Sequence, residues 1–161
     1  MTAHRPSQAR LSPAYETDTP LDRLRTPELF LLSTLRLWIA GAVDPEGRHP
    51  SWSEGCHVAG LRPAAVTGFD AFWRLMAAAP RRPGHAPLDL RCPTCPRLGA
   101  DEAWFLQAVQ ALQAGEDRAT VAILARWLPP AAQRLALPPL MALAAGLLEA
   151  ELLLPDRARL P

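Results

Sequence analysis

Cysteine and histidine carry most of the site chemistry open to this chain of 161 residues, which has three of the first and four of the second. Cys92 and Cys95 stand three positions apart in Arg91-Cys92-Pro93-Thr94-Cys95-Pro96, and Cys56 sits beside His57. A Cys-x-x-Cys turn presents two thiolates to one ion, with both sulfurs within reach of a tetrahedral zinc at about 2.3 Å. Cys56 supplies a third thiolate and His57 the fourth ligand, with His85 as the alternative and His49 a further candidate. Neighbouring residues on a helix point about 100° apart. Cys56 and His57 therefore bind one ion only at a helix end, which Gly55 and Gly60 would permit. The pattern predicts a structural Cys3His zinc site of Cys56, His57, Cys92 and Cys95. The bland alternative makes Cys56 a small buried apolar residue and leaves Cys92 and Cys95 as loop residues without a ligand.

Other cysteine chemistries fit less well. A dithiol oxidoreductase sets its first cysteine at a helix N-terminus after a βαβ pattern. Here Pro96 follows Cys95, and the next helix begins only near Gly99. A zinc deaminase needs His-x-Glu upstream of its cysteine pair. None of His49, His57 and His85 has Glu two positions on. Attachment of a c-type haem needs His directly after the second cysteine, where this chain has Pro96. A catalytic zinc needs an open position and a base. Asp89 is the nearest acid, and it reads as a solvated loop residue.

The elements that must position these groups are helical. Thr26, Pro27 and Glu28 form a helix start, with Thr26 as the cap, and Leu31, Leu35 and Trp38 recur at helical spacing behind them. Ser51 and Glu54 make a capping box for a short helix that carries Cys56. Val66, Phe69, Trp73 and Met76 form the stripe of a third helix, and Pro80 stops it. Five prolines then fall between residues 80 and 98, so that stretch is irregular. A loop of that length is uncommon in a compact domain unless something holds it, and the metal is the candidate. Phe105, Val109 and Leu112 mark the next helix, Asp117 caps another, and residues 130–154 form one or two more, jointed at Pro138 and Pro139. No stretch alternates as strands do.

The chain therefore reads as all-α: a compact bundle of six or seven short helices in two groups, 21–79 and 99–154, joined by the Pro- and Cys-rich loop 80–98. Residues 1–20 and 155–161 read as tails, the first of them flexible. The 17 basic residues are all Arg and the net charge is +1, so no long-range field draws the chain to nucleic acid or anionic lipid. The Arg, Ala, Leu and Pro bias fits a GC-rich bacterial genome. Residues 51–74 have a helix-turn-helix rhythm, but the exposed set on the second helix would be Arg62, Thr67, Asp70 and Arg74, too thin a surface for reading DNA. The two most apolar stretches carry charges or prolines and do not read as membrane spans, and the N-terminus has no apolar signal core. A cytoplasmic protein is expected, with its cysteines reduced. The expected function is a zinc-binding regulatory or adaptor module whose partner is another protein or itself. The alternatives are a metal-free helical module that dimerises through its C-terminal helices, and a zinc hydrolase.

Overall fold

The structure is a computed structural model that describes residues 14–16, 18–80 and 86–157. Among these residues it is all-helical, as the periodicity predicts. A single 3-10 turn at Leu21–Arg23 precedes six helices: α1 (Thr26–Val43), α2 (Trp52–Val58), α3 (Pro63–Ala78), α4 (Ala100–Gln113), α5 (Asp117–Leu124) and α6 (Pro130–Glu149). The start of α1 differs from expectation by one residue. Arg25, not Thr26, is the N-cap, and the Glu28 carboxylate reaches back to accept from its backbone N–H at 2.7 Å. Glu102 does the same for Gly99 at the start of α4, also at 2.7 Å. Ser51 caps α2 as read, accepting from the N–H of Glu54 at 3.2 Å. Gly60 and Gly115 turn the chain after α2 and α4 with φ of 85° and 75°, a backbone region where a side chain is strained.

The two sequence halves do not form separate groups. α3 lies along α6, while α4 sits at the centre against α1, α5 and α6. Phe69, Phe72 and Phe105 are fully buried. The Phe105 ring stacks on Phe72 at 5.8 Å and takes Trp73 edge-on at 4.9 Å, so the first and second halves share one aromatic core. Each such ring contributes roughly 1.5–3 kcal/mol by leaving water.

Pro138 and Pro139 do not break the C-terminal stretch into two helices; α6 runs through them. Proline removes the N–H that would bond four residues back. The carbonyls deprived here belong to Arg134 and Leu135, both exposed residues. The inner side packs closely. A Cβ on Gly68 of α3 would come within 2.5 Å of the Pro139 carbonyl oxygen, and one on Gly146 would strike Ala65. By length and composition α6 is, among the described residues, the one helix apolar enough to cross a bilayer. Its Leu140, Leu143 and Leu147 nevertheless lie in the protein core.

Part of each expected tail is ordered. Tyr15 is 5% exposed and donates its hydroxyl to Glu28 at 2.6 Å. Arg157 grips the same carboxylate with two hydrogen bonds, at 2.7 and 2.6 Å. Burial pushes the Glu28 carboxyl up, but the hydrogen bonds from Arg157, Tyr15 and Arg25 outweigh it and hold the group below the usual carboxylate range. Glu28 thus ties residues near both ends of the chain to the start of α1. Residues 1–13, 17 and 158–161 of those expected tails lie outside the described residues.

The close α3–α6 approach makes a direct prediction. Gly68→Ala should lower stability by about 1–3 kcal/mol, because the backbone oxygen it meets cannot swing aside. Gly41→Ala in α1, where an added Cβ meets nothing within 4 Å, should be neutral or gain up to about 1 kcal/mol. Urea denaturation of both variants checks this; equal midpoints would contradict the packing.

Candidate functional site

The irregular stretch between α3 and α4 is held by a buried ion pair. Arg36 projects from α1 and is 2% exposed; Glu102, in the first turn of α4, is fully buried. Arg36 donates from Nε and Nη2 to the two oxygens of Glu102, at 2.9 and 2.8 Å. Two more of its donors go to loop carbonyls: Nη1 to Cys95 at 2.6 Å and Nη2 to Arg97 at 2.8 Å. Glu102 in turn accepts the backbone N–H of Arg91 at 3.0 Å and of Gly99 at 2.7 Å. Two side chains therefore fix four backbone groups on both sides of the cysteine turn. A buried pair is tolerable only when its hydrogen-bonding capacity is filled in this way.

A strap on the outer side completes the hold. Leu21 donates its N–H to the Pro96 carbonyl at 3.0 Å, and Leu98 donates to the Thr19 carbonyl at 2.9 Å. Asp89 accepts from Arg91 Nε and Nη2 at 2.6 and 3.0 Å and from the Ala100 N–H at 2.8 Å. The Arg91 guanidinium, aided by the Ala100 N–H, holds the Asp89 carboxyl below the usual range against its partial burial. Asp89 is thus a structural acceptor as well as a partly exposed loop acid, with three of its acceptor positions engaged by Arg91 and Ala100.

On this scaffold Cys92 is exposed and Cys95 half-buried, both as free thiols. Cys95 closes the turn by donating its N–H to the Cys92 carbonyl at 3.1 Å. The Thr94 hydroxyl lies 3.5 Å from the Cys92 sulfur. That hydroxyl, with the N–H groups of Thr94 and Cys95, favours the thiolate and lowers the Cys92 pKa from its ordinary value. Both thiols therefore lie on one surface turn whose backbone is held by Arg36 and Glu102.

The other expected ligands are not brought to this turn. Cys56 is 1% exposed and faces the Thr34 hydroxyl of α1, which itself donates to Phe30. Burial pushes its thiol pKa up despite that hydroxyl. Thr34 and Arg36 are two residues apart on α1 and so project about 200° from each other. Thr34 meets Cys56 while Arg36 reaches the Cys95 carbonyl from a diverging position on α1. His57 is exposed on α2, and His49 faces Asp44 at 3.9 Å. Among the described residues no group of three His, Cys, Asp or Glu converges as a metal site. His85 lies outside them.

Two further surfaces bear on function. The helix-turn-helix rhythm is present as α2 and α3, but α3 is packed along α6. Its N-cap Arg62 pairs with Glu149 at 2.8 Å and its Arg74 with Asp70 at 2.7 Å, both at the surface. Beside α3 a groove of about 820 Å³ is walled by Trp38, Trp52, Asp70 and Arg74. Asp70 accepts from Trp38 Nε1 at 2.8 Å and from Arg74, which fills both its oxygens and orders one wall of the groove.

Sequence reasoning missed Arg36 and Glu102. Their signals were present: a lone charge among Leu31, Leu32, Leu35 and Trp38 on an apolar helix, and a glutamate in the third position of a helix that starts with glycine. Arg36→Met should cost about 3–5 kcal/mol by leaving Glu102 buried without its partner. It should also speed amide exchange at Arg91 and Gly99; urea denaturation and exchange NMR check both, and a loss under about 1 kcal/mol would contradict the clamp. In native protein, iodoacetamide should label Cys92 first and Cys56 only on unfolding. Peptide mapping by mass spectrometry reads that order, and early labelling of Cys56 would contradict its burial.

Comparisons of the chain with protein-family models, with curated proteins and with solved structures each found no match.

Proposed function

We propose that this chain is a helical binding module that takes zinc at the Cys92–Cys95 turn and works through assembly rather than catalysis. The supporting observation is the turn itself: two thiols at the surface, with the N–H groups of Thr94 and Cys95 aimed at one sulfur, on a backbone fixed by Arg36 and Glu102. Zinc is favoured over harder cations because sulfur ligands select soft and borderline ions. The nearby carboxylates, Asp89 and Glu102, are engaged by arginines and backbone N–H groups, which leaves an adaptor or regulatory role better supported than a hydrolase. A reducing compartment such as the cytoplasm keeps both thiols available as ligands.

The metal has a different structural role from the one expected of it. The loop already has its shape from the ion pair, so zinc is not needed to create that shape. Zinc should be found in untagged protein purified without added metal, be lost from Cys92→Ser and Cys95→Ser, and be retained by Cys56→Ser. The metal-free chain should keep its helical circular dichroism. Zinc retained by Cys92→Ser, or absent from the unaltered protein, would refute the reading.

One observation favours a second reading, metal-free self-association through α6. Met141 and Leu148 are 44% and 43% exposed and share one face seven residues apart, with exposed Ala145 between them, and Leu135, 66% exposed, lies about 120° round the helix. Such a seam on a helix is a common helix-pairing surface.

A further inference from the structure

We infer that zinc at this turn bridges two copies of the chain, each giving Cys92 and Cys95, so that one ion is held by four thiolates. The inference rests on the zinc reading above and names the partner of that site. A structural zinc takes four ligands, and the turn offers two. The described surroundings offer no third. Cys56 is buried beside Thr34, Glu102 is filled by Arg36 and the N–H groups of Arg91 and Gly99, Asp89 is held by Arg91 and the Ala100 N–H, and among the described residues no third His, Cys, Asp or Glu joins the two cysteines. Either carboxylate could reach the ion only by abandoning a guanidinium and breaking the clamp that holds the turn.

The turn is built to be approached from outside. Cys92, Pro93, Thr94 and Pro96 are exposed in succession, and the bulk of the bundle lies beneath Cys95. Proline at positions 93 and 96 removes backbone donors, so this rim does not offer a strand edge in competition with a second copy. A two-fold axis through the ion makes the two turns equivalent, the arrangement most homodimers adopt.

Charge around the turn is balanced within each copy: Arg36 faces Glu102, Arg91 faces Asp89 and the Asp18 carboxylate at 3.2 Å, and Arg97 donates to the Asp18 carbonyl at 3.0 Å. One Zn²⁺ with four thiolates carries a net charge of −2, which the exposed Arg97 of each copy would face.

The experiment uses the full chain, reduced and stripped of metal by chelator, titrated with zinc chloride while light scattering reports mass. The expected result is conversion of monomer to dimer, complete at one zinc per two chains, reversed by chelator and absent in Cys92→Ser. Cobalt at the same ratio should give the intense sulfur-to-metal absorption of a tetrathiolate centre. Arg97→Glu, on an exposed residue that the core does not need, should weaken the zinc-dependent dimer by roughly tenfold or more. One zinc per monomeric chain would overturn the bridge while leaving the zinc reading intact, and loss of that zinc in His85→Ala would place its completion within the chain. No zinc binding at all would overturn both. A dimer that persists in chelator and in Cys92→Ser would overturn the bridge and assign pairing to the Met141–Leu148 face of α6.

Discussion

The buried contact between Arg36 and Glu102 is the constraint on which the rest of this structure hangs. Desolvating two charges costs several kcal/mol each, and their attraction offsets this only where every donor and acceptor finds a partner. Here the chain comes close to that condition with its own backbone, filling Glu102 and four of the five Arg36 donors: the carbonyls of Cys95 and Arg97 and the N–H groups of Arg91 and Gly99 take part. The arrangement is reciprocal. The loop satisfies the ion pair, and the ion pair gives the loop a single path. Residues 86–99, without a helix or strand of their own, thereby become a fixed platform, helped by Leu98 in the core and by Leu88 and Leu90 packed against it.

The same device appears a second time. Glu28 and Glu102 occupy the same position in the first turns of α1 and α4, and each turns back to the N–H at the helix start. Each then receives a two-pronged guanidinium from a distant part of the chain, Arg157 in one case and Arg36 in the other. A helix start is a favourable place for a carboxylate, because the dipole and the unpaired N–H groups both stabilise its charge. Arginine suits the partner role because its planar fork matches both carboxylate oxygens at once. Between these two polar anchors the aromatic core of Phe69, Phe72, Trp73 and Phe105 joins the two halves of the chain. The close α3–α6 crossing at Gly68 and Gly146 closes the other side.

This division of labour changes what a metal at the cysteine turn would be for. An ion that must fold a loop draws its ligands from several elements of one chain and is buried. The cysteines presented here lie together on a surface that is already rigid, so the free energy of coordination is available for holding a partner. The groove at Trp38 and Trp52 and the apolar seam on α6 are separate surfaces, on other faces of the same helices.

The sequence by itself determined the class, the number of helices, most of their ends and most of the core stripe. These follow from local rules: apolar residues at spacings of three and four, a serine or a glycine at a helix start, proline where a helix ends. Val66, Phe69, Trp73 and Met76 share a face because of the helix period alone, and all four are buried. The cysteine turn was equally legible, since its geometry is a property of four consecutive residues. What only the tertiary structure decided is which distant groups meet. The reading paired Cys56 with Cys92 and Cys95 because thiols can share an ion, but Thr34 and Arg36 diverge on α1, the first meeting Cys56 and the second the Cys95 carbonyl. Pro138 and Pro139 lie within α6, and the residues whose carbonyls lose a partner, Arg134 and Leu135, are exposed, which spacing does not reveal. The hold on the loop fell to an arginine and a glutamate that are 66 residues apart in the chain. A charge pair at that separation has no local signature, because its stability comes from backbone groups that only the folded chain brings around it.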